Sequence, residues 1–291
     1  MPDDIPYPFI AKKISIDGHR LAYLDEGQGS VIVMLHGNPT WSFYYRNLVT
    51  LLRDSYRVIV PDHMGCGNSD KPQQYPYQLK THIDNLEYLL DELKIEKYSL
   101  VVHDWGGAIG MGLAARQPSR IESLVILNTG AFRSTRIPLR ISICRVPILG
   151  DIIVRGLNGF AGAAISMAVT KPLPLDAIKG YLQPYDSWAN RIAILRFVQD
   201  IPLSPRDASW ETLLEVEKGL TLFKETPMLI LWGGRDFCFT RYYFDEWVRR
   251  FPGAENHFFP DAGHYVLEDG FEEISPFIST FFHDNLLKNE P

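Results

Sequence analysis

The chain has 291 residues, 46% of them hydrophobic, and its 29 Lys and Arg residues against 35 Asp and Glu residues give a net charge of −6. This length allows one large domain or two of medium size, with a substantial buried core. The acidic balance argues against a broad basic surface, so no nucleic-acid partner is predicted. No run of about 18 apolar residues occurs, so no transmembrane segment is predicted.

Cysteine and histidine usage predicts neither disulfides nor a metal site. Cys66, Cys144 and Cys238 are widely spaced, and neither a CxxC nor an HExxH pattern is present. Residues 1–6 lack the basic and apolar stretches of a secretory signal. We therefore expect a cytoplasmic protein in a reducing environment.

The first predicted elements are two strands joined at Asp17-Gly18, a hairpin turn signal within the alternating residues 11–25. They predict an antiparallel edge to a sheet. Further along, five β-branched and apolar runs each end in turn residues. These runs are residues 30–35, 57–60, 100–102, 124–127 and 228–231. They are nearly continuous rather than alternating, which is typical of parallel strands buried on both faces.

Helical patterns lie between these runs. Residues 81–93 carry apolar side chains at three- and four-residue spacing, and the segment after Gly107 is rich in small residues. Alternating strands and helices predict an α/β fold. Residues 133–212 show no comparable strand and are broken by prolines, so we predict an α/β core of residues 1–132 and 213–291 with an inserted helical cap of residues 133–212.

The most informative motif is His103-Asp104-Trp105-Gly106-Gly107, which follows a buried strand and opens a helix. This context is the nucleophile elbow of α/β hydrolases, where serine usually occupies the central position. Asp104 stands there instead. A carboxylate is already ionised at neutral pH and can attack saturated carbon to form an ester, whose hydrolysis then needs a base. The alternative is that Asp104 only caps the helix.

Two later residues complete a triad in the chain order nucleophile, acid, histidine. Asp236 follows the strand predicted at 228–231, and His264 follows a strand-like run near the C-terminus. His264 is predicted to activate water and Asp236 to orient the imidazole. Taken alone, His264 is equally well a loop histidine.

The loop His36-Gly37-Asn38-Pro39 follows the strand at 30–35 and supplies a predicted anion-binding group. Asn38 and Trp105 are expected to provide two backbone N–H groups beside the nucleophile. Their side chains add an amide and an indole donor, which suits an anionic leaving group. Asn38 alone also fits a plain turn before Pro39.

These motifs, together with residues 61–72 (PDHMGCGNSDKP), resemble the haloalkane dehalogenase family over nearly the whole chain. The resemblance implies an α/β-hydrolase fold with a mostly parallel central sheet and a helical cap, and a mechanism without cofactor or metal. It implies that Asp104 displaces halide, that Trp105 and Asn38 stabilise the halide, and that His264 is the base. One branch of the family has its acid, a Glu, where this sequence has Asn128-Thr129; Asp236 as acid combined with Asn38, not a second Trp, resembles the third subfamily.

That subfamily includes β-lactone decarboxylases of olefin biosynthesis, which this chain resembles at residues 190–192, 199–205, 236–239 and 264–269. We therefore predict a haloalkane dehalogenase-like hydrolase for a small apolar alkyl substrate. The alternative is a cis-β-lactone decarboxylase that releases an alkene and carbon dioxide.

Other interpretations fit less well. An epoxide hydrolase has two cap tyrosines, for which Tyr181 and Tyr185 are candidates, but Asn38 argues against it. The elbow lacks the serine of esterases and haloperoxidases, and a non-enzymatic scaffold is disfavoured because every triad position is filled. The apolar run at residues 141–149 could contact a partner enzyme, a membrane surface or a long-chain substrate, but we expect it to form cap core.

Overall fold

The structure, a computed structural model, describes residues 7–287; residues 1–6, which bear on the secretory-signal prediction, lie outside the described part. The described residues form one sheet of eight strands. The strands are β1 (Lys12–Ile16), β2 (His19–Glu26), β3 (Val31–Leu35), β4 (Arg57–Pro61), β5 (Tyr98–Asp104), β6 (Ile121–Thr129), β7 (Met228–Gly233) and β8 (Glu255–Phe259).

The sheet has the order β1-β2-β4-β3-β5-β6-β7-β8. β1 and β2 pair antiparallel, β2 also pairs antiparallel with β4, and all other pairs are parallel. The hairpin turns at Asp17 and Gly18, which both have positive φ, as a two-residue turn requires. The predicted α/β fold with an antiparallel edge is confirmed.

Eleven α-helices accompany the sheet in the described residues. They are α1 (Arg46–Leu52), α2 (Leu79–Glu92), α3 (Trp105–Arg116), α4 (Leu139–Arg145), α5 (Gly159–Met167), α6 (Leu175–Leu182), α7 (Ile192–Gln199), α8 (Trp210–Gly219), α9 (Arg241–Arg250), α10 (Val266–Asp269) and α11 (Phe271–Phe282). A π-helical turn, Asp151–Gly156, lies between α4 and α5. None of the described helices is long and apolar enough to cross a membrane.

Apolar cores lie on both faces of the sheet, which explains why the strand sequences are nearly continuous in apolar residues. In β3, Val33 and Leu35 belong to one core, while Ile32 and Met34 belong to the other. Successive side chains of a strand point to opposite faces, so a strand covered on both sides needs apolar residues at every position. The carboxyl ends of the parallel strands meet at one edge, where ligands bind in open α/β sheets.

The predicted cap range, residues 133–212, contains helices α4 to α7 and no strand. Helix α8 begins inside that range at Trp210 and packs against α3, which follows the central strand β5. The predicted boundary at 212 thus falls within a helix. The division of the chain into core and cap stays a prediction.

The expectation that residues 141–149 form cap core is wrong. Ile148 is 76% exposed, and Ile143, Val146 and Leu149 are also exposed; Cys144 is the buried apolar member of the run. The reason is that α4 has seven residues and packs one face on α7, while the chain after it stays outside. Periodicity shows which side chains are apolar, but not whether another element covers them.

Candidate active site

Asp104 lies at a sharp strand-to-helix turn. It is the last residue of β5, has φ 52°, and is followed directly by α3. An l-residue rarely adopts this conformation, and a strained elbow at the end of a central strand is where hydrolases place the nucleophile. A Cβ on Gly106 would overlap the Leu35 carbonyl, so glycine there allows α3 to approach β3. The Asp104 side chain makes no helix-capping hydrogen bond, which removes the plain capping interpretation.

The two carboxylate oxygens of Asp104 have different surroundings. Oδ1 accepts the backbone N–H of Asn38 at 2.7 Å, and the backbone N–H of Trp105 lies near enough to the carboxylate to favour its charged form. Oδ2 lies 3.5 Å from Nε2 of His264. Burial raises the pKa of Asp104 above its ordinary value, although His264 and the two N–H groups act against that rise. Oδ1 is therefore held by a backbone N–H, and Oδ2 is the carboxylate oxygen that faces His264.

His264 and Asp236 form a tight buried pair. Nδ1 of His264 lies 2.7 Å from Oδ2 of Asp236, whose side chain is fully buried. Burial alone would lower the pKa of His264, but the charge and hydrogen bond of Asp236, with the charge of Asp104, outweigh burial and raise it. The imidazole is thus placed between two carboxylates, with Nε2 directed to Asp104.

Asn128 is a contributor to this site whose role the sequence did not reveal. Its Nδ2 donates to Asp236 Oδ2 and to the Gly233 carbonyl, both at 3.0 Å, and its Oδ1 accepts the Gly233 N–H at 2.8 Å. The backbone N–H groups of Cys238 and Phe239 bond the other oxygen of Asp236. The only signal available in the sequence was that Asn128 stands where another branch has its acid.

His103 supports the catalytic histidine candidate from behind. Its Nε2 donates to the backbone carbonyl of His264 at 2.9 Å, and Tyr44 stacks on its ring. Burial, with the nearby charge of His264, lowers the pKa of His103 well below its ordinary value. It is therefore a neutral residue that fixes the His264 backbone.

Asn38 and Trp105 both line the same cavity as Asp104, but their donors are not equally available. Nδ2 of Asn38 donates one N–H to the Ile194 carbonyl on α7, and its Oδ1 is buried without a partner. Among the described residues, no hydrogen bond involves the Trp105 indole N–H. One amide proton of Asn38 and the indole proton of Trp105 thus remain for a ligand.

The triad candidates open into a cavity of about 440 Å³ between the sheet edge and helices α4, α5 and α7. Asp104, His264, Asn38 and Trp105 form its polar end, and its walls are mainly apolar. Such a pocket, apolar with a few convergent polar groups, is typical of a small-molecule site.

Tyr181 and Tyr185, the candidates for activating an epoxide oxygen, do not lie at this cavity. Tyr181 donates to Glu268 and Tyr185 to the Thr40 carbonyl, and neither is among the residues described as lining the cavity. The epoxide hydrolase alternative therefore loses its structural basis.

The chain is similar to known α/β hydrolases in sequence and in fold. Residues 30–142 match the family model described as the alpha/beta hydrolase fold. The chain is 49% identical to the cis-3-alkyl-4-alkyloxetan-2-one decarboxylase of Shewanella oneidensis, over 96% of this chain and 90% of that protein, and 42% identical to its counterpart in Xanthomonas campestris, over 97% and 98%. It is 30% identical to haloalkane dehalogenase 2 of Mycobacterium tuberculosis, over 94% and 95%. The crystal structure of the haloalkane dehalogenase DatA from Agrobacterium tumefaciens superposes with a TM-score of 0.85 at 25% identity, over 94% of this chain and 96% of that one.

Proposed function

The chain belongs to the α/β-hydrolase family that unites the haloalkane dehalogenases with the cis-3-alkyl-4-alkyloxetan-2-one decarboxylases, and we propose that it decarboxylates β-lactones, with Asp104 as the nucleophile. Identities of 49% and 42% to decarboxylases, against 30% to a dehalogenase, carry this choice. These identities favour β-lactone decarboxylation, the alternative drawn from the sequence, over haloalkane dehalogenation, which was the main prediction. Both predictions used the same residues, so the change concerns the substrate and not the site.

The proposed reaction needs only the lactone and Asp104. Oδ2 of Asp104 attacks the ring carbon that bears the ring oxygen, and the carbon–oxygen bond breaks with its electron pair going to the released carboxylate. The bond from the neighbouring carbon to that carboxylate then breaks as carbon dioxide leaves. Its electrons form the alkene double bond and expel Asp104 as a carboxylate, so no water, cofactor or redox partner is consumed.

The surrounding groups fit both steps. The backbone N–H of Asn38 holds Oδ1, which leaves Oδ2 to attack. The second amide proton of Asn38 and the indole N–H of Trp105 face the same cavity and can bind the carboxylate that the attack releases on the side opposite Oδ2. The apolar cavity favours loss of neutral carbon dioxide from a carboxylate that is poorly solvated there.

Haloalkane hydrolysis is a second, weaker candidate activity. The free indole N–H of Trp105 in the cavity is suited to a departing halide, and His264 lies 3.5 Å from Asp104. That reaction also forms an ester at Asp104, but it ends only when neutral His264 activates water. Asp236, which stays charged in the ester, raises the pKa of His264, so we expect this second step to accelerate as pH rises.

One purified sample should be assayed with a cis-β-lactone and with a 1-bromoalkane of matched alkyl length. We expect rapid alkene formation, little bromide release, and loss of both activities in Asp104→Asn. Rapid bromide release without alkene would overturn the proposal. Association with partner enzymes and a cytoplasmic location stay predictions.

A further inference from the structure

An exposed apolar surface lies beside the mouth of the cavity, and we call it the cap patch. It consists of Leu139, Ile143, Val146, Ile148, Leu149, Ile152 and Leu157, which are between 38% and 77% exposed. Leu139 and Ile143 are four residues apart on α4 and so share one face. We propose that the cap patch docks the protein on an anionic lipid bilayer, from which the cavity takes its substrate.

The backbone conformation of Ile148 indicates that the cap patch has a function. Ile148 has φ 67°, in the left-handed region, and its side chain is 76% exposed. A β-branched residue is a poor choice for that conformation, and an exposed apolar side chain gains little from folding. Glycine or asparagine would avoid both costs. A residue that breaks two local preferences together marks a functional position.

The charge around the patch selects the occupant. Residues 133–174 contain six Lys and Arg residues and one Asp, and two of the arginines pair with carboxylates from outside this range, Arg133 with Glu217 and Arg145 with Asp207. Of the six basic residues, Arg136 and Arg140 are exposed, and none of the ion pairs among the described residues involves either. Arginines around exposed apolar side chains match an anionic bilayer surface. A second copy of the chain would bring the same positive charges together, which disfavours self-association through this patch.

The cavity and the patch are continuous. Arg136, Arg140 and Ile143 line the cavity and are also exposed, so the cavity reaches the surface at α4. The walls of this cavity are mainly apolar, so an alkyl chain can follow them to this opening. Longer alkyl chains would therefore extend through the mouth onto the cap patch. This step rests on the proposed function, because it assumes an alkyl-bearing substrate.

Vesicle sedimentation tests the docking without any chemistry. The probes are vesicles of phosphatidylcholine alone and vesicles that also contain phosphatidylglycerol. We expect the wild type to bind the anionic vesicles, less so as salt rises, and the double variant Ile148→Asn/Leu149→Asn to bind at least about tenfold more weakly. Leu222→Asn, a change of a 55% exposed leucine outside the patch, should bind like the wild type.

Three results would overturn the inference: no binding of the wild type to anionic vesicles, equal binding by the double variant, or a dimer of the wild type that Ile148→Asn disperses. Turnover of a short, water-soluble β-lactone should be unchanged in the double variant, since neither residue lines the cavity. Absence of alkene in that assay would count against the proposed function, while the sedimentation result would still decide the docking.

Discussion

At the scale of single residues, we propose that the protonation of His264 decides which of two reactions the site completes. Its imidazole is buried between Asp236 and Asp104, and their charges raise its pKa despite the opposing effect of burial. A raised pKa means that the charged form persists to higher pH than in an ordinary histidine. Ester hydrolysis, which needs the neutral base, should therefore increase as pH rises through the pKa that His264 has in the ester, where the charge of Asp236 remains and that of Asp104 does not.

NMR titration of the imidazole tests this directly. In the wild type we expect His264 to titrate above a model histidine peptide, whose pKa is about 6.5. In Asp236→Asn the pKa of His264 should fall, since the largest favourable charge is removed while burial stays. Asp261→Asn, a change of an exposed carboxylate, should leave the titration unchanged. An unaltered His264 titration in Asp236→Asn would show that Asp236 does not set its charge.

Asn128 is a positioning residue whose effect should appear in turnover. Its amide bonds both Asp236 and the Gly233 backbone, so Asn128→Leu leaves one oxygen of Asp236 with fewer donors. Hydrogen bonds to charged groups contribute about 1.5–3 kcal/mol, so we expect kcat to fall by about tenfold or more. The exposed Asn256→Leu on β8 is the matched control. Asn128→Asp should have a lower kcat than the wild type, because it places a second carboxylate beside Asp236. A kcat for Asn128→Leu equal to the control would contradict the role.

At the scale of elements, the strained turn after α4 offers a stability test. Ile148→Asn removes a β-branched side chain from a left-handed position and should raise the free energy of unfolding by about 1 kcal/mol. Ile152→Asn, at another exposed position of the same surface, does not relieve such strain and should give no increase. Urea unfolding of both variants measures the difference. A lower stability for Ile148→Asn than for Ile152→Asn would argue that the side chain is held by packing.

A buried ion pair joins three elements around the site. Arg46 on α1 contacts Glu268 on α10 at 2.5 Å, both side chains are under 10% exposed, and Tyr181 on α6 also donates to Glu268. Glu268→Ala leaves the Arg46 charge buried and should cost about 3–5 kcal/mol in the free energy of unfolding.

Two further variants separate the charge effect from simple loss of a side chain. Arg46→Met combined with Glu268→Leu removes both charges while keeping apolar volume, and should recover most of the stability. The exposed Glu272→Ala on α11 should change it by less than about 0.5 kcal/mol. Equal stabilities for Glu268→Ala and Glu272→Ala would contradict the assignment.

At the scale of the whole molecule, the sheet and the triad candidates were predictable for definite physical reasons. Strands buried on both faces have continuous apolar sequences, so β3 to β7 could be recognised directly. Asp104, Asp236 and His264 each follow a strand, and parallel strands bring their carboxyl ends to one edge. The supporting bonds of Asn128 and the exposure of Ile148 were not predictable, because both depend on which distant segments pack nearby.

The central claim is that the ester at Asp104 is resolved by elimination and not by water. Turnover of a cis-β-lactone in ¹⁸O-labelled water, followed by mass spectrometry of the products and of the peptide that carries Asp104, tests it most directly. We predict alkene as the product and no label in the Asp104 carboxylate after many turnovers. A hydroxy acid product together with ¹⁸O in Asp104 would contradict the account, since only hydrolysis of the ester transfers water oxygen to that carboxylate.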